Sequence, residues 1–337
     1  MQNGPGPGDK GESNVRVFVT GGAGYIGSVC VQELLDQGHV VTVFDNLTEG
    51  HRSALDPRAT FIQGDLNDPN STTLAFRQSE PDAVMHFAAN ALVGESMRDP
   101  YKYFHNNVGG GLNLLHAMEE HDVKRIVFSS TCATYGVPER VPIDENSPQN
   151  PINPYGESKL LFEKILRWYH EVHRFEFVSL RYFNAAGAAG RVGEHHRVES
   201  HLIPRILQVA LGQAEKAEVF GDDYPTPDGT CIRDYIHVLD LAQAHILALN
   251  APESGAFNLG TGGGTSVQEV IDACRRVSGH PIPVAVQPRR PGDPPRLVAA
   301  SEKARRVLGW QPRFNEIGTI VETAWHWHER HPRGYAD

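Results

Sequence analysis

A chain of 337 residues with 41 acidic against 31 basic side chains carries a formal net charge of -10, which argues against nucleic acid as a main partner. It leaves room for a local basic pocket, around Arg289-Arg290 for example, that would take an anionic ligand. Hydrophobic residues make up 40% of the chain, enough for the core of one large domain or two ordinary ones, yet no run reaches the roughly 18 apolar residues of a membrane span. No basic stretch followed by an apolar one opens the sequence, so neither membrane anchoring nor secretion is expected. Cys30, Cys132, Cys231 and Cys274 form no CxxC pair and read as reduced thiols, which suits the cytoplasm.

Residues 1–14, MQNGPGPGDKGESN, are Gly, Pro and polar residues with nothing to bury, and a disordered tail is expected there. From Val15 short apolar runs alternate with helical segments. They are VRVFVT, a helix from about Tyr25 to Gln37, HVVTVFD, ATFIQGD and PDAVMHFA, then a long helix from about Pro100 to His121, KRIVFSS, a helix opening at Tyr155, and FEFVSLR. This alternation indicates an α/β fold, a doubly wound parallel sheet of Rossmann type covered by helices on both faces. Gly109-Gly110-Gly111 interrupt the long helix at a cost of about 1 kcal/mol each relative to alanine. Either the helix is weak there, or it lies close against the sheet and needs the missing side chains. After about Arg181 the spacing loosens into Pro- and Gly-rich connections such as GDDYPTPDGT and QPRRPGDPPR, the texture of a smaller C-terminal lobe. The expected division is 15–181 and 182–337, with a segment at about 230–260 returning to the first domain. Of the seventeen histidines, neither His195-His196 nor the terminal HWHERH shows carboxylate or cysteine company at ligand spacing, so no metal site is expected.

The first strand runs into Gly21-Gly22-Ala23-Gly24-Tyr25-Ile26-Gly27, a GxxGxxG spacing at a strand-to-helix turn. Glycines there let the backbone approach a pyrophosphate, whose charge meets the amides and positive end of the next helix. The following strand ends at Asp45, 18 residues after Gly27, where a carboxylate accepts hydrogen bonds from an adenosine ribose. Asn46 and Leu47 follow it, with no arginine for a 2′-phosphate, which favours NAD over NADP. Asp65 and Leu66 in QGDL flank an adenine or form a plain strand-end turn. Phe87, Ala88 and Ala89 in HFAAN offer small residues beside the crevice where such sheets bind dinucleotides, a feature that tight core packing would also produce.

Tyr155 and Lys159, four apart at the start of a helix, share a face and aim either into one pocket or at solvent. With NAD placed, the pair acquires a task. A phenol of pKa near 10 presents its anion at pH 7 only at a cost of roughly 4 kcal/mol, and burial makes this worse. Positive charge from Lys159 and the oxidised nicotinamide reverses the sign, so that Tyr155 takes a hydroxyl proton while the attached carbon gives its hydride to the cofactor. Ser129, Ser130 and Thr131 stand at the end of the preceding strand, where hydroxyls serve loop backbone groups as readily as a substrate.

The strings VTGGAGYIGS, FSSTCATYG, NPYGESK, RYFNAAGA, FGDDYPTPDGTCIRDYIHVLDLA, NLGTGGGTSV and WHWHERHPRGYAD together resemble the UDP-glucose 4-epimerases of the extended short-chain dehydrogenase/reductase family. The likeness runs from about Val15 to the last residue. The resemblance implies that Thr131 is the family's active-site hydroxyl, beside Tyr155 as base and Lys159 as its electrostatic partner. It implies an NAD-binding domain in which Asn106, Tyr182, Tyr155 and Lys159 join the glycine loop in contacting the cofactor. In the C-terminal lobe it implies a UDP-sugar held by Tyr182, Asn184, His201, Leu202, Phe220 against uracil, Arg233 and Arg290 on the diphosphate, and Asp293 on the ribose. Arginine forks suit phosphate oxygens. Two positions depart from the pattern: Ala91 where many relatives have a cofactor-reaching lysine, and Ser200-His201 where some have paired asparagines.

The implied reaction is reversible inversion at carbon 4, UDP-galactose to UDP-glucose, through a 4-keto sugar that turns over in the site. Leu297 occupies a position where side-chain size limits the sugar's 2-substituent, and its modest bulk is expected to admit N-acetylated UDP-sugars too. The rivals are a 4-epimerase for UDP-pentoses or UDP-uronates, and a nucleotide-sugar 4,6-dehydratase. The dehydratase is disfavoured because Cys132-Ala133, not Asp-Glu, follow Thr131. A non-catalytic NAD-sensing protein would be a different class, and the retained Tyr/Lys pair speaks against it. Helix pairing between subunits, common in the family, implies a homodimer.

Overall fold

The computed structural model describes residues 14–290 and 292–337, so the tail expected at 1–14 lies outside the described residues except for Asn14. In the first half of the chain the strands are β1 (Arg16–Thr20), β2 (Val40–Asp45), β3 (Thr60–Gln63), β4 (Ala83–His86), β5 (Arg125–Thr131) and β6 (Glu176–Tyr182). Then come β7 (Asn184–Ala186), β8 (Ala217–Phe220), β9 (Ile232–Arg233), β10 (Tyr235–His237) and β11 (Gly255–Leu259). Seven of these form one sheet in the order β11-β6-β5-β4-β1-β2-β3. Every pairing in it is parallel.

Successive side chains on a strand point to opposite faces, and the apolar runs divide accordingly. Val17, Val19, Val41, Val43, Val127, Val178 and Leu180 enter one core, while Phe18, Phe44, Val84, Ile126, Phe128 and Phe177 enter the other. Burial on both sides explains why these strands read as continuous apolar stretches and not as alternating ones.

Helices α1 (Tyr25–Asp36), α2 (Pro69–Ser79), α3 (Val93–Ser96), α4 (Pro100–Phe104), α5 (Gly110–Glu120) and α6 (Pro154–His173) belong to the first half. The long helix expected from Pro100 to His121 is broken by a π-helical turn at His105–Gly109 between α4 and α5. A Cβ on Gly111 would overlap the Phe162 ring of α6. The missing side chains therefore serve helix-to-helix contact, where closeness to the sheet was one expectation.

The second half adds α7 (Leu202–Ala210), α8 (Val238–Ala248), α9 (Val267–Ser278), α10 (Glu302–Leu308) and α11 (Ile317–Arg330). Helices α7, α9 and α11 enclose a separate core with Val219, Val270, Ile271, Ile320 and Trp325. Helix α8 and strand β11 instead pack with the main sheet, through Leu241, Ala244, Phe257 and Leu259. Strand order reverses between β1 and β4, the point at the carboxyl edge of a parallel sheet where such folds form their binding crevice.

Candidate active site

The crevice is lined first by the turn after β1. Gly21 has φ +72°, and a Cβ there would lie 2.5 Å from the Ala88 amide nitrogen, so the HFAAN segment after β4 can close on this turn only over glycine. A Cβ on Gly27 would overlap the Gly21 carbonyl. Gly24 begins α1 with no side-chain cap, which leaves the amides of its first turn directed at the crevice. Asp45 is buried at the end of β2 and accepts from Ala23 N at 3.0 Å and Leu47 N at 2.8 Å, while burial pushes its carboxyl up. Asn46 Nδ2 donates to Asp65 at 3.0 Å. These residues fit a dinucleotide: a cradle that side chains would fill, an uncapped helix and a carboxylate at the next strand end.

Leu66 turns its side chain into the core under Gly110 and has only backbone to offer a ligand. Phe87 likewise packs inward, 4.7 Å from the His245 ring. Tyr25 donates from Oη to the Gly187 carbonyl at 2.6 Å, and Ile26 leans on the core. Asn106 donates to Asn107 Oδ1 at 3.0 Å. Asn107 was missed in the sequence. It sits in the π-helical turn, accepts from Asn90 N at 2.8 Å and donates to Asn90 O and Ser158 Oγ, both at 3.0 Å. It thereby pins the loop after β4 to α6, one residue before Lys159. The triple glycine was its only signal.

Helix α6 is capped by Asn153, whose Oδ1 accepts from Gly156 N at 2.8 Å, with Pro154 at the first position. The cap fixes the turn that carries Tyr155. Lys159 is 4% exposed; its Nζ donates to Ser129 O at 2.8 Å and lies 4.8 Å from the Phe128 ring centre. Burial pulls its ammonium down to about 7, with Glu163 opposing. Burial pushes the Tyr155 phenol up, Tyr182 adds to this, and the Thr131 hydroxyl works against it. Thr131 starts the short helical turn Cys132–Thr134 and accepts from Ala133 N at 3.2 Å. Tyr182 Oη shares a 2.7 Å hydrogen bond with Ser129.

On the other side of the crevice Asn184, His201 and Leu202 line one small cavity of about 20 Å³ with Tyr235. Arg233 pairs with Asp293, and the Arg290 guanidinium lies 4.0 Å over the Phe220 ring. Strand β12 (Thr265–Ser266), β13 (Val284–Gln287) and β14 (Arg296–Leu297) complete this wall, with Leu297 beside Arg233 in register and packed into a cluster that includes Cys132. Of the candidate substrate residues, Leu297 is the one that this packing brings beside Cys132, the neighbour of Thr131.

One expectation fails. His196 does have carboxylate company: the segment before α7 doubles back so that Glu194, His196, Glu199 and His201 bring one ligand atom each within 4.8 Å of one another. Glu194 directly precedes the histidine pair and Glu199 follows three residues after His196, a spacing that a search for separated ligand pairs passes over. Among the described residues no helix is long and apolar enough to cross a membrane.

The profile of the NAD dependent epimerase/dehydratase family matches residues 17–260. A UDP-glucose 4-epimerase of Halalkalibacterium halodurans is 56% identical over 326 residues, covering 95% of this chain and 97% of its own. A crystal structure of a UDP-glucose 4-epimerase superposes with a TM-score of 0.93 at 52% identity over 95% of this chain and 99% of that one. The UDP-glucose 4-epimerase of Brucella ovis, solved in complex with NAD, gives a TM-score of 0.90 at 48% identity over 92% and 98%. The chain belongs to the NAD dependent epimerase/dehydratase family, in which its relatives are UDP-glucose 4-epimerases.

Proposed function

We propose that the protein interconverts UDP-galactose and UDP-glucose by oxidation and re-reduction at carbon 4, with Tyr155 as the proton acceptor and donor. The observation that carries this reading is the meeting of Tyr155, Thr131 and Lys159 at the sheet edge where the Gly21 turn forms a dinucleotide cradle. When bound, NAD supplies a hydride acceptor for carbon 4 and a positive charge beside the phenol. The Gly21–Gly27 turn, Asp45 and Asn46 hold it, and Asp65 borders it.

The buried phenol is a poor base by itself, and at neutral pH Lys159 is only partly charged. Proton removal therefore depends on positive charge being complete in the closed site, which couples the activity of Tyr155 to cofactor loading. Thr131 orients the sugar hydroxyl toward the phenol. Arg233, Arg290 and Phe220 grip the UDP, and the sugar, held by few groups, turns its other face before the proton returns. Arg233 exchanges its Asp293 partner for phosphate as the ligand enters, which frees the carboxylate for the ribose.

Replacing Tyr155 with Phe tests the assignment. Epimerisation is expected to fall by at least about 100-fold with NAD still bound, and undiminished turnover would reject the role. Leu297 favours a wider substrate range, since it forms the wall beside Cys132 without the bulk of an aromatic ring. Turnover of UDP-N-acetylgalactosamine is expected, and Leu297→Tyr should abolish it while sparing UDP-galactose. We further infer a cytoplasmic homodimer, the location supported by the four free cysteines and the dimer by the family resemblance.

A further inference from the structure

The segment from Gly187 to α7 joins the Tyr25 turn to the helix carrying His201 and Leu202. Within it four side chains converge. Nδ1 of His201 lies 3.1 Å from Glu194 Oε1 and 3.2 Å from Glu199 Oε1. Nδ1 of His196 lies 3.1 Å from Glu199 Oε2 and 3.8 Å from Glu194 Oε1. A tetrahedral cation with bonds of about 2.0–2.1 Å needs ligand atoms about 3.3–3.4 Å apart. Three of these four separations are within a few tenths of that and the fourth within about half an ångström, with Glu199 meeting the two histidines through different oxygens, so its carboxylate would turn to present one or would bind through both.

We propose that Glu194, His196, Glu199 and His201 form a binding site for one divalent cation of the zinc class, held by two imidazole nitrogens and two carboxylate oxygens.

A second observation points the same way. Glu194 is only 4% exposed, and it shares its nearest donor: His201 Nδ1 stands between Glu194 and Glu199, while His196 Nδ1 lies nearer Glu199. An imidazole N–H serves one acceptor well, so the two carboxylates hold more acceptor oxygens than the two nitrogens between them can satisfy, an arrangement that a cation at the centre relieves. The unpartnered Nε2 of His328, 8% exposed, borders the same region, where Glu194, His196 and Glu199 line a cavity of about 480 Å³ that gives an ion a way in. Carboxylate and imidazole donors together, at four-coordinate spacing and without sulfur, suit Zn²⁺ over Mg²⁺ or Ca²⁺, which take oxygen ligands in higher number. Bound there, the ion would fasten the 194–201 segment beside the Tyr25 ring, whose centroid stands 6.3 Å from that of His196.

The test uses the full-length protein with its NAD in place, treated with a chelator, desalted and titrated with ZnCl₂ by calorimetry and elemental analysis, and with CoCl₂ by visible spectroscopy. One equivalent of Zn²⁺ per chain is expected, together with the intense d–d bands of four-coordinate Co²⁺. His196→Asn should weaken Zn²⁺ binding by more than the roughly 100-fold that bounds the loss of an outer-shell partner. Glu199→Gln serves as the second variant if the first loses its NAD or its cooperative melting transition. The absence of saturable Zn²⁺ binding below millimolar concentration, binding unchanged in both variants, or a six-coordinate Co²⁺ spectrum would each overturn the site. None of these outcomes bears on the roles of Tyr155, Thr131 and Lys159, which the Tyr155→Phe test addresses separately.

Discussion

Glu163, buried on α6 one turn past Lys159, takes Ser130 Oγ at 2.6 Å and Arg181 Nε at 2.9 Å. Arg181 in turn donates to Tyr135 Oη at 2.8 Å, and Tyr135 to Asn258 at 2.7 Å. This chain ties α6, β5, β6 and β11 together one turn of α6 past Lys159. Glu163→Ala leaves the Arg181 guanidinium buried without its counter-charge, and the expected loss is about 3–5 kcal/mol in urea unfolding. Lys159 sets a pH dependence of its own. Its folded value of about 7 lies below the ordinary 10.5, so between those values the unfolded chain holds more protons, and the contribution of this side chain to stability rises with pH. In NAD-free protein, Lys159→Met should therefore be most favourable relative to wild type below about pH 7. The advantage should shrink by up to about 1.4 kcal/mol per pH unit toward pH 10. Unfolding curves for both proteins at pH 6.5 and 9 measure it, and a constant difference would show that Lys159 keeps its charge inside.

At the scale of elements, the π-helical turn between α4 and α5 shows where local sequence logic stops. Single helical turns of this kind widen the backbone and often mark functional positions. Here the turn aims Asn107 at Asn90 and Ser158, joining three elements around the crevice. Gly111→Ala would press a methyl into the Phe162 ring and should destabilise by about 1–3 kcal/mol, read as a lowered melting temperature, while the equivalent change at Gly94, which faces open space, should not. The glycines at 109–111 announced an irregularity, but nothing in the helix itself says that its neighbour is α6, because that contact joins residues some fifty positions apart. The Gly21 turn, Asp45 and the Tyr155/Lys159 pair were legible for the opposite reason: each is a short-range pattern whose meaning comes from the strand end or helix start that carries it. The strand runs were legible as well, since burial on two faces writes itself into composition. What the residues alone left open, such as the pairing of Glu163 with Arg181 or of Arg233 with Asp293, depends on partners 18 and 60 positions distant, and no periodicity encodes those.

For the whole molecule the question is how the second lobe is joined to the sheet. The contacts converge on one seam. Arg197, from the segment before α7, donates to Thr48 O at 2.8 Å, Gly50 O at 3.2 Å and Leu47 O at 3.3 Å. Arg191 reaches Leu55 O at 3.0 Å and Asp56, and Asp337 binds Arg52 N and Ser53 near His51. All of these land on residues 47–56, which follow directly from Asp45 and Asn46, the residues proposed above to hold the cofactor. Leu47 adopts φ 62°, a left-handed conformation that a leucine holds only when its surroundings impose it, and its carbonyl is one that Arg197 takes. Arg197→Ala removes three charge-assisted bonds from that turn, at an exposed position where solvent replaces part of what is lost. The expected result is NAD affinity reduced by about 1–2 kcal/mol, roughly 5- to 30-fold, with kcat at saturating NAD unchanged because none of the three bonds touches Tyr155, Thr131 or Lys159. Titration of cofactor-stripped protein by fluorescence gives the affinity, and turnover of UDP-galactose with excess NAD gives the rate. If affinity held while the melting temperature dropped, the seam would be structural support and nothing more. If affinity fell as expected, the second lobe would be shown to shape the cofactor site from outside it.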